Sequence, residues 1–404
     1  MTPPDDMPAP ASAPASPAEV FWAFLKLGLS AFGGPSAHIG YFRAAFVERR
    51  RWLDDRRFSD LLALSQLLPG PASSQLGMAL GLERAGGLGA LAAWVGFTLP
   101  SALAMILLGY GMARWQGLAE SGLLHGLKIA AVAVVAHAVL SMATSLCRGW
   151  VRATTAIGAA ALVLAMPGMP AQWLAILLGA VAGRLLVQRQ SLTPVAPHGG
   201  GLSRRAGSLA LVTFALLLVV LPWLAAWSAS PLVQAVAVFY QAGALVFGGG
   251  HVVLPLLQAG VVGPGWVSQE AFLAGYGAAQ ALPGPLFAFA AYLGTLLPAP
   301  LGGWGSGLLM LLAIFLPGAL LIVGAMPFWD QLRRQPAVQQ SLAGINAAVV
   351  GLLAAALYRP IWTSTIGSVG DLLLAGLAFG LLVSGRVRPL LVVALSAAGG
   401  WALS

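Results

Sequence analysis

QLLPGP (residues 66–71) lies inside an apolar stretch, and QALPGP (residues 280–285) nearly repeats it. Pro69 and Pro71 remove backbone donors and clash with the preceding turn, so a helix arriving through Leu61–Leu68 stops there. A new helix begins at Pro71, where proline's fixed φ suits a first turn and its missing N–H costs nothing. The N–H groups of Ala72, Ser73 and Ser74 then point back into the break, with the positive end of the helix dipole behind them. Such a start accepts anions. The bland alternative is a kink or re-entrant turn that holds no ligand.

The surroundings make this break a membrane feature. Hydrophobic residues form 59% of the 404-residue chain and charged residues 8%, whereas a soluble domain carries about 25% charged residues. Apolar runs recur, each long enough to cross about 30 Å of hydrocarbon. The fold class expected is an all-α polytopic membrane protein in a lipid bilayer, a multi-pass protein of the cell (inner) membrane. Spans are expected near 21–40, 59–82, 88–112, 122–146, 153–166 and 171–187, then 207–227, 232–253, 269–297, 304–328, 340–358, 362–384 and 389–403. These amount to about 12–13 membrane segments. Residues 1–18, rich in Pro, Ala and Ser and lacking a charged n-region, read as a disordered tail.

The net charge of +9 comes from basic residues scattered between apolar segments, as in loops flanking membrane helices, so no nucleic-acid partner is expected. Cys147 is the single cysteine, which excludes an intramolecular disulfide and a cysteine metal cage. No metal site and no cofactor are expected. HExxH, GxSxG and Walker sequences are missing, so neither an enzyme nor an ATP-driven pump is indicated.

The two PGP breaks belong to a longer repeat. Phe32-Gly33-Gly34 is answered by Phe247-Gly248-Gly249, Trp52 by Trp266, Phe58 by Phe272 and Pro100 by Pro317, all at offsets of 214 to 217. Order kept at a nearly constant offset marks an internal duplication. The organisation expected is an N-terminal repeat over 19–187, a linker with an extra helix over 188–231, and a C-terminal repeat over 232–404. The first inter-motif loop carries Arg43, Arg49, Arg50, Arg51, Arg56 and Arg57, whereas its counterpart LQAGVVGPGWVSQE has no Lys or Arg. By the positive-inside rule the first loop prefers the cytoplasm and the second is free to face outside, as inverted halves require. Arg204 and Arg205 resist this scheme, because simple alternation puts the linker outside.

FGGPSAH (32–38) and FGGGH (247–251) form a second repeated break. Gly33 and Gly34, with Gly248, Gly249 and Gly250, permit φ > 0 or close helix packing. His38 and His251 follow them, suited to donating to an anion, relaying a proton or satisfying an interhelical bond. Arg43 and Glu48, at i and i+5, are poorly placed for a helical pair, which leaves Arg43 free to face a cavity mouth with a fork that fits an oxyanion. Glu48 and Asp60 are the proton-coupling candidates. Asp60 also reads as a first-turn acid, and Asp371 as a group at membrane depth. Lys128 reads as a snorkelling side chain.

FGGPSAHIGYFRAAFVERRRWLDDRRFSDLLALSQLLPGPASSQLGMALG and FGGGHVVLPLL…WVSQEAFLAGYGAAQALPGPLFAFAAYLG resemble the chromate ion transporter family in its long, two-domain form. The resemblance implies export of chromate from the cytoplasm, chromate resistance, secondary energisation by the membrane potential or proton gradient, and antiparallel halves. It implies roles for Gly33, Gly34, Pro35, His38, Arg43 and Pro69-Gly70-Pro71, and opposite them Gly248–His251 and Pro283-Gly284-Pro285. Ser73 and Ser74 join these as substrate-binding donors. The cargo expected is chromate or a sulfate-like anion, since helix-start donors with an arginine bind either; a homodimer is compatible with these features.

Overall fold

The computed structural model describes residues 16–114, 122–166, 168–187, 203–332 and 335–403. Of the tail expected over 1–18, residues 1–15 lie outside the described residues, while Ser16 caps the first helix and Pro17 and Ala18 open it. Of the expected linker, 188–202 lies outside the described residues as well. Among the described residues there is no strand.

The first repeat begins with α1 (Pro17–Ser30), a break at Ala31–Gly33, and α2 (Gly34–Phe42) continued by a π-helical segment, Arg43–Arg49. Next come α3 (Asp55–Leu67), the PGP break, and α4 (Ala72–Arg114). Non-helical angles at Ala85 and Gly86 bend α4 into a short arm, α4a (72–84), and a long arm, α4b (87–114). Then follow α5 (Gly122–Leu146), α6 (Trp150–Ala165), α7 (Met169–Leu186) and the extra helix α8 (Arg204–Trp227).

The second repeat reproduces this order. It contains α9 (Pro231–Ala244), a break at the glycines, α10 (Val253–Leu257) continued by a π segment (Gln258–Val262), α11 (Gln269–Ala281), the second PGP break and α12 (Phe289–Leu296). After these come α13 (Gly303–Ala325), α14 (Trp329–Leu332), α15 (Pro336–Ala356), α16 (Thr363–Thr365), α17 (Val369–Ser384) and α18 (Pro389–Leu403). Asp54 caps α3 by accepting from Arg57 N, and Ser268 caps α11 by accepting from Ala271 N, so equivalent starts use equivalent chemistry.

Four expected spans double back instead of running through. Phe24 of α1 packs against Phe42 and Phe46 on the returning helix, with ring centroids 5.4 and 4.8 Å away. Glu19 at the start of α1 lies 3.8 Å from Arg84, whose guanidinium sits over Trp52, which itself stacks on Phe46. The two ends of the α1–α2 hairpin therefore share one face. Arg57 at the start of α3 pairs with Glu83 at the end of α4a, so the α3–α4a hairpin returns to that same face. In the second repeat, Val238 of α9 leaves no room for a Cβ on Gly260, and Tyr292 Oη of α12 donates to Ala271 O of α11 at 2.7 Å. Those pairs are hairpins too. The spans expected at 21–40, 59–82, 232–253 and 269–297 are thus re-entrant.

Among the described residues, six helices are long and apolar enough to cross a membrane: α4, α5, α7, α8, α13 with its extension, and α15 with its extension. The shorter apolar helices α6, α17 and α18 pack along long ones, α6 on α15 and both α17 and α18 on α5, and are counted with the through-running set on that ground. α4b starts at the face that holds the first repeat's hairpin ends and finishes at Tyr110, whose hydroxyl accepts from Trp304 N at 2.9 Å, beside the end of α12. The second repeat's hairpins therefore enter from the opposite face, and the repeats are inverted. Counting crossings from that face, α4b, α5, α6 and α7 return the chain to it. Arg204 and Arg205 at the start of α8 then lie with Arg43–Arg57, and the conflict left by simple alternation disappears. Only the expected span 59–82 drops out between the Arg43–Arg57 loop and the linker, because the chain turns back there, and one crossing fewer reverses the parity.

The halves also exchange helices. α15 of the second repeat packs on α6 and α7 of the first, and α5 of the first packs on α17 and α18 of the second. Glycines set the approach: Gly183 against Gln340 and Gly344, and Gly126 against Ser396 and Gly400, with no space for a Cβ.

Candidate functional site

The four hairpin tips meet. Gly70 N, in the first PGP, donates to Val246 O of the second repeat at 2.7 Å, and Gly284 N, in the second PGP, donates to Ala31 O of the first at 3.0 Å. Ala31 and Val246 each immediately precede an FGG motif. One contact is thus the pseudo-twofold image of the other. The glycines are required by conformation: φ is 125° at Gly70 and 99° at Gly284, a region that costs an L side chain about 1–2 kcal/mol. Gly33 and Gly248 (φ 103° and 74°) are likewise paired across the repeats, and both are exposed at their tips.

Each PGP also rests on the helix that follows in the other repeat. Gly70 lies against Gly318, the residue after Pro317, and Gly284 lies against Ser101, the residue after Pro100. Pro69 and Pro283 are half-buried, and Pro71 and Pro285 are buried, at these contacts.

Polar side chains gather at this junction. His38, 1% exposed, places Nε2 3.2 Å from Ala31 O and Nδ1 3.3 Å from Ser73 Oγ. A carbonyl only accepts, so Nε2 carries the proton and the Ser73 hydroxyl donates to Nδ1. Ala31 O thus receives both His38 and Gly284 N, one on each lone pair. The chain Ser73–His38–Ala31–Gly284 joins three hairpins through hydrogen bonds.

α4a supplies the rest. Its first turn begins at Ala72, so Ser73 and Ser74 occupy the turn whose N–H groups have no intrahelical acceptor. Gln75, fully buried, donates through Nε2 to Pro69 O at 2.9 Å and Gly318 O at 3.3 Å. Ser74 Oγ, Gln75 Oε1 and, on α4b, Thr98 Oγ1 are buried without a hydrogen-bond partner. Each such atom costs about 1–3 kcal/mol while it stays unpaired, and others of the kind, such as Gln172 Oε1 and Ser396 Oγ, lie away from the junction.

The remaining expected residues lie elsewhere. Pro35 falls in the first turn of α2. Gly250 opens the turn leading into α10, and His251 Nδ1 lies 2.7 Å from Tyr276 Oη, away from Ser73. Arg43 is not free: Nη1 is 2.7 Å from Glu48 and Nε is 2.7 Å from Asp55, all at an exposed hairpin flank. The i, i+5 pair forms because the segment is π-helical, with Arg50 N donating to Ala45 O, and π winding brings i and i+5 together. The two carboxylates hold the guanidinium's pKa above its usual value. Arg43 therefore contributes no unpaired charge to the junction, and Glu48 is engaged beside it. Asp60 sits in the second turn of α3, half-buried, while Asp54 and Asp55 take the first-turn role expected of it. Asp371 is not mid-span; it closes a capping box with Ser368 at the start of α17 and binds His125 Nε2 at 2.6 Å. Gln75, Thr98, Ser101 and Gly318 were not singled out in the sequence. Their one signal was polarity, or a residue following an in-helix proline, inside an apolar run.

A cavity of about 350 Å³ adjoins the second PGP break, lined by Ala104, Leu108, Leu127, Leu282, Val393 and Ala397. Its walls are apolar, which does not suit an anion. Among the described residues no cluster of three or more His, Cys, Asp or Glu is arranged to hold a metal ion.

Inverted halves with broken helices meeting at a polar junction define the class of protein, a membrane transporter built from an internal repeat. The chromate transporter family matches residues 18–184 and 233–401, and the chain belongs to that family. It is 29% identical to a chromate transport protein of Pseudomonas aeruginosa over 98% of this chain and 93% of that one. It is 28% identical to a chromate transport protein of Cupriavidus metallidurans over 82% of this chain and 80% of that one. The uncharacterized transporter YwrA of Bacillus subtilis is 29% identical over 36% of this chain but 83% of its own length. No solved structure matches.

Proposed function

We propose that the protein is a secondary active transporter that exports chromate across the inner membrane and so confers chromate resistance. The observation that carries this reading is the reciprocal pair of contacts, Gly70 to Val246 and Gly284 to Ala31. Two inverted hairpin sets sealed by symmetric bonds at one junction can open toward either face in turn, which is what alternating access needs. The positive end of α4a's dipole and its first-turn donors favour an anion there. Substrate contacts are assigned to the backbone N–H of Ser73, the Ser74 hydroxyl and the rest of the backbone after Pro71, with the Ser73 hydroxyl donated to His38 Nδ1.

Orientation is read from charge, and export follows from it because an inside-negative potential drives an anion outward. Arg43–Arg57, Arg84, Arg148, Arg184, Arg204, Arg205, Arg386 and Arg388 fall at one face by the crossing order, against Arg114 and Arg359 at the other. The positive-inside rule puts the arginine-rich face in the cytoplasm. The test is chromate flux in proteoliposomes of known orientation under an imposed potential. Potential-dependent movement from the arginine-rich face outward supports export; a purified, folded protein that moves no chromate sinks the reading.

A further inference from the structure

We propose that the apolar cavity beside the second PGP break binds one acyl chain of an anionic phospholipid, whose head group rests on Arg386 and Arg388. The site stands whichever anion the junction carries.

The cavity lies between α4b, α5, α11 and α18, and every side chain lining it is Ala, Val or Leu. Water finds no partner there, and an empty apolar space of this size is costly. The duplication shows how the space arises. At the offsets of the repeat, Ala278 and Ala281 of α11 answer Leu64 and Leu67 of α3, while Ala104 and Leu108 of α4b answer Leu321 and Ala325 of α13. The first repeat thus has three leucines where the cavity has one. Leu64, Leu321 and Ala325 are buried, so the counterpart place is filled by the protein itself.

The mouth faces the bilayer. Leu107, beside Leu108, is 61% exposed, and Leu390 and Ala394 on the α18 wall are exposed too. Gly324, the counterpart of Leu107, is covered by Leu211 of α8, whereas Leu107 has no such cover.

Charge names the lipid. Arg386 and Arg388, both exposed, stand immediately before α18 at the arginine-rich face, and residues 372–404 contain no Asp or Glu. Basic side chains at that level favour anionic head groups. The α18 wall of the cavity runs from Leu390 to Ala397. Ala397 lies nine residues beyond Arg388, which is about 13 Å along a helix. One leaflet's hydrocarbon is about 15 Å deep, so a chain whose phosphate meets these arginines ends at the far wall. Leu282, one residue before Pro283, lines the cavity as well, which sets the chain against the second PGP hairpin.

The experiment extracts the full chain from membranes of phosphatidylglycerol and phosphatidylethanolamine and identifies retained lipid by native mass spectrometry. After detergent washing, the wild type is expected to keep one phosphatidylglycerol. Ala278→Leu with Ala281→Leu, which gives α11 the leucines of α3, is expected to lose it. Arg386→Gln with Arg388→Gln is expected to lose the preference for phosphatidylglycerol over phosphatidylethanolamine. Should the leucine variant not fold, wild type reconstituted with phosphatidylglycerol photoreactive at its chain end decides the matter. Labelling is expected to be severalfold higher at Leu127, Leu282 and Ala397 than at Leu216 and Val219 of α8, which are 58% and 70% exposed to bulk lipid. The proposal is overturned by wild type that retains no lipid or keeps both lipids equally. Retention unchanged by the leucines, a preference that survives the loss of both arginines, or labelling no higher at the cavity than on α8 overturns it too.

Discussion

At the scale of the residue, glycines and one histidine do most to define the junction. Gly70 and Gly284 hold backbone angles closed to other residues while donating across the repeats. A Cβ on Gly70 would also come within 3.0 Å of Gln75 Nε2 and 3.3 Å of Gly318. Gly70→Ala is therefore expected to lose about 1–2 kcal/mol of stability from strain alone and most chromate flux, measured by denaturation and by proteoliposome uptake. Gly284→Ala should behave alike because it is the image of Gly70, and a variant pair with unlike effects would count against the symmetry. Ser73→Ala removes the donor to His38 Nδ1 and leaves a buried acceptor, an expected cost of about 1–3 kcal/mol in unfolding experiments. Arg43→Ala, which the sequence pointed to as decisive, is now expected to leave chromate flux within about twofold, because exposed ion pairs carry little.

At the scale of the element, breaks were legible, whereas caps and returns were not. PGP stops a helix for reasons internal to proline, and both breaks stand where the sequence puts them, at Leu67 and Ala281. Whether the chain then crosses or turns back depends on partners far away, such as Arg57 with Glu83. A hydropathy window reads the same apolar run either way. π winding was equally hidden, since nothing in RAAFVER departs from a helical pattern, and it alone turned an unlikely i, i+5 pair into a bonded one. The capping box at Ser368–Asp371 was missed because Asp371 was read by depth and not by its position three residues after a serine. Ser368→Ala is expected to destabilise the protein by about 0.5–2 kcal/mol in thermal or chemical unfolding, loosening α17 on α5. Gly126→Val, where α5 and α18 touch through backbone, is expected to do more harm, since no side chain can yield there.

At the scale of the whole molecule, duplication and inversion followed from offsets and arginines, and the re-entrant hairpins explain the one charge that refused to fit. Each repeat lends α5 or α15 to the other's terminal helices, so the halves fold around each other and share one junction. The central claim is that both repeats send hairpins inward from opposite faces. Single cysteines at Arg50, Arg205 and Pro264, in a Cys147→Ala background, can be labelled in intact cells with an impermeant thiol reagent before and after permeabilisation. Cysteine at position 264 is expected to label from outside, whereas cysteines at positions 50 and 205 are expected to label only once the cytoplasm is opened. Positions 50 and 264 on one side would contradict the inversion, and positions 50 and 205 on opposite sides would contradict the hairpins.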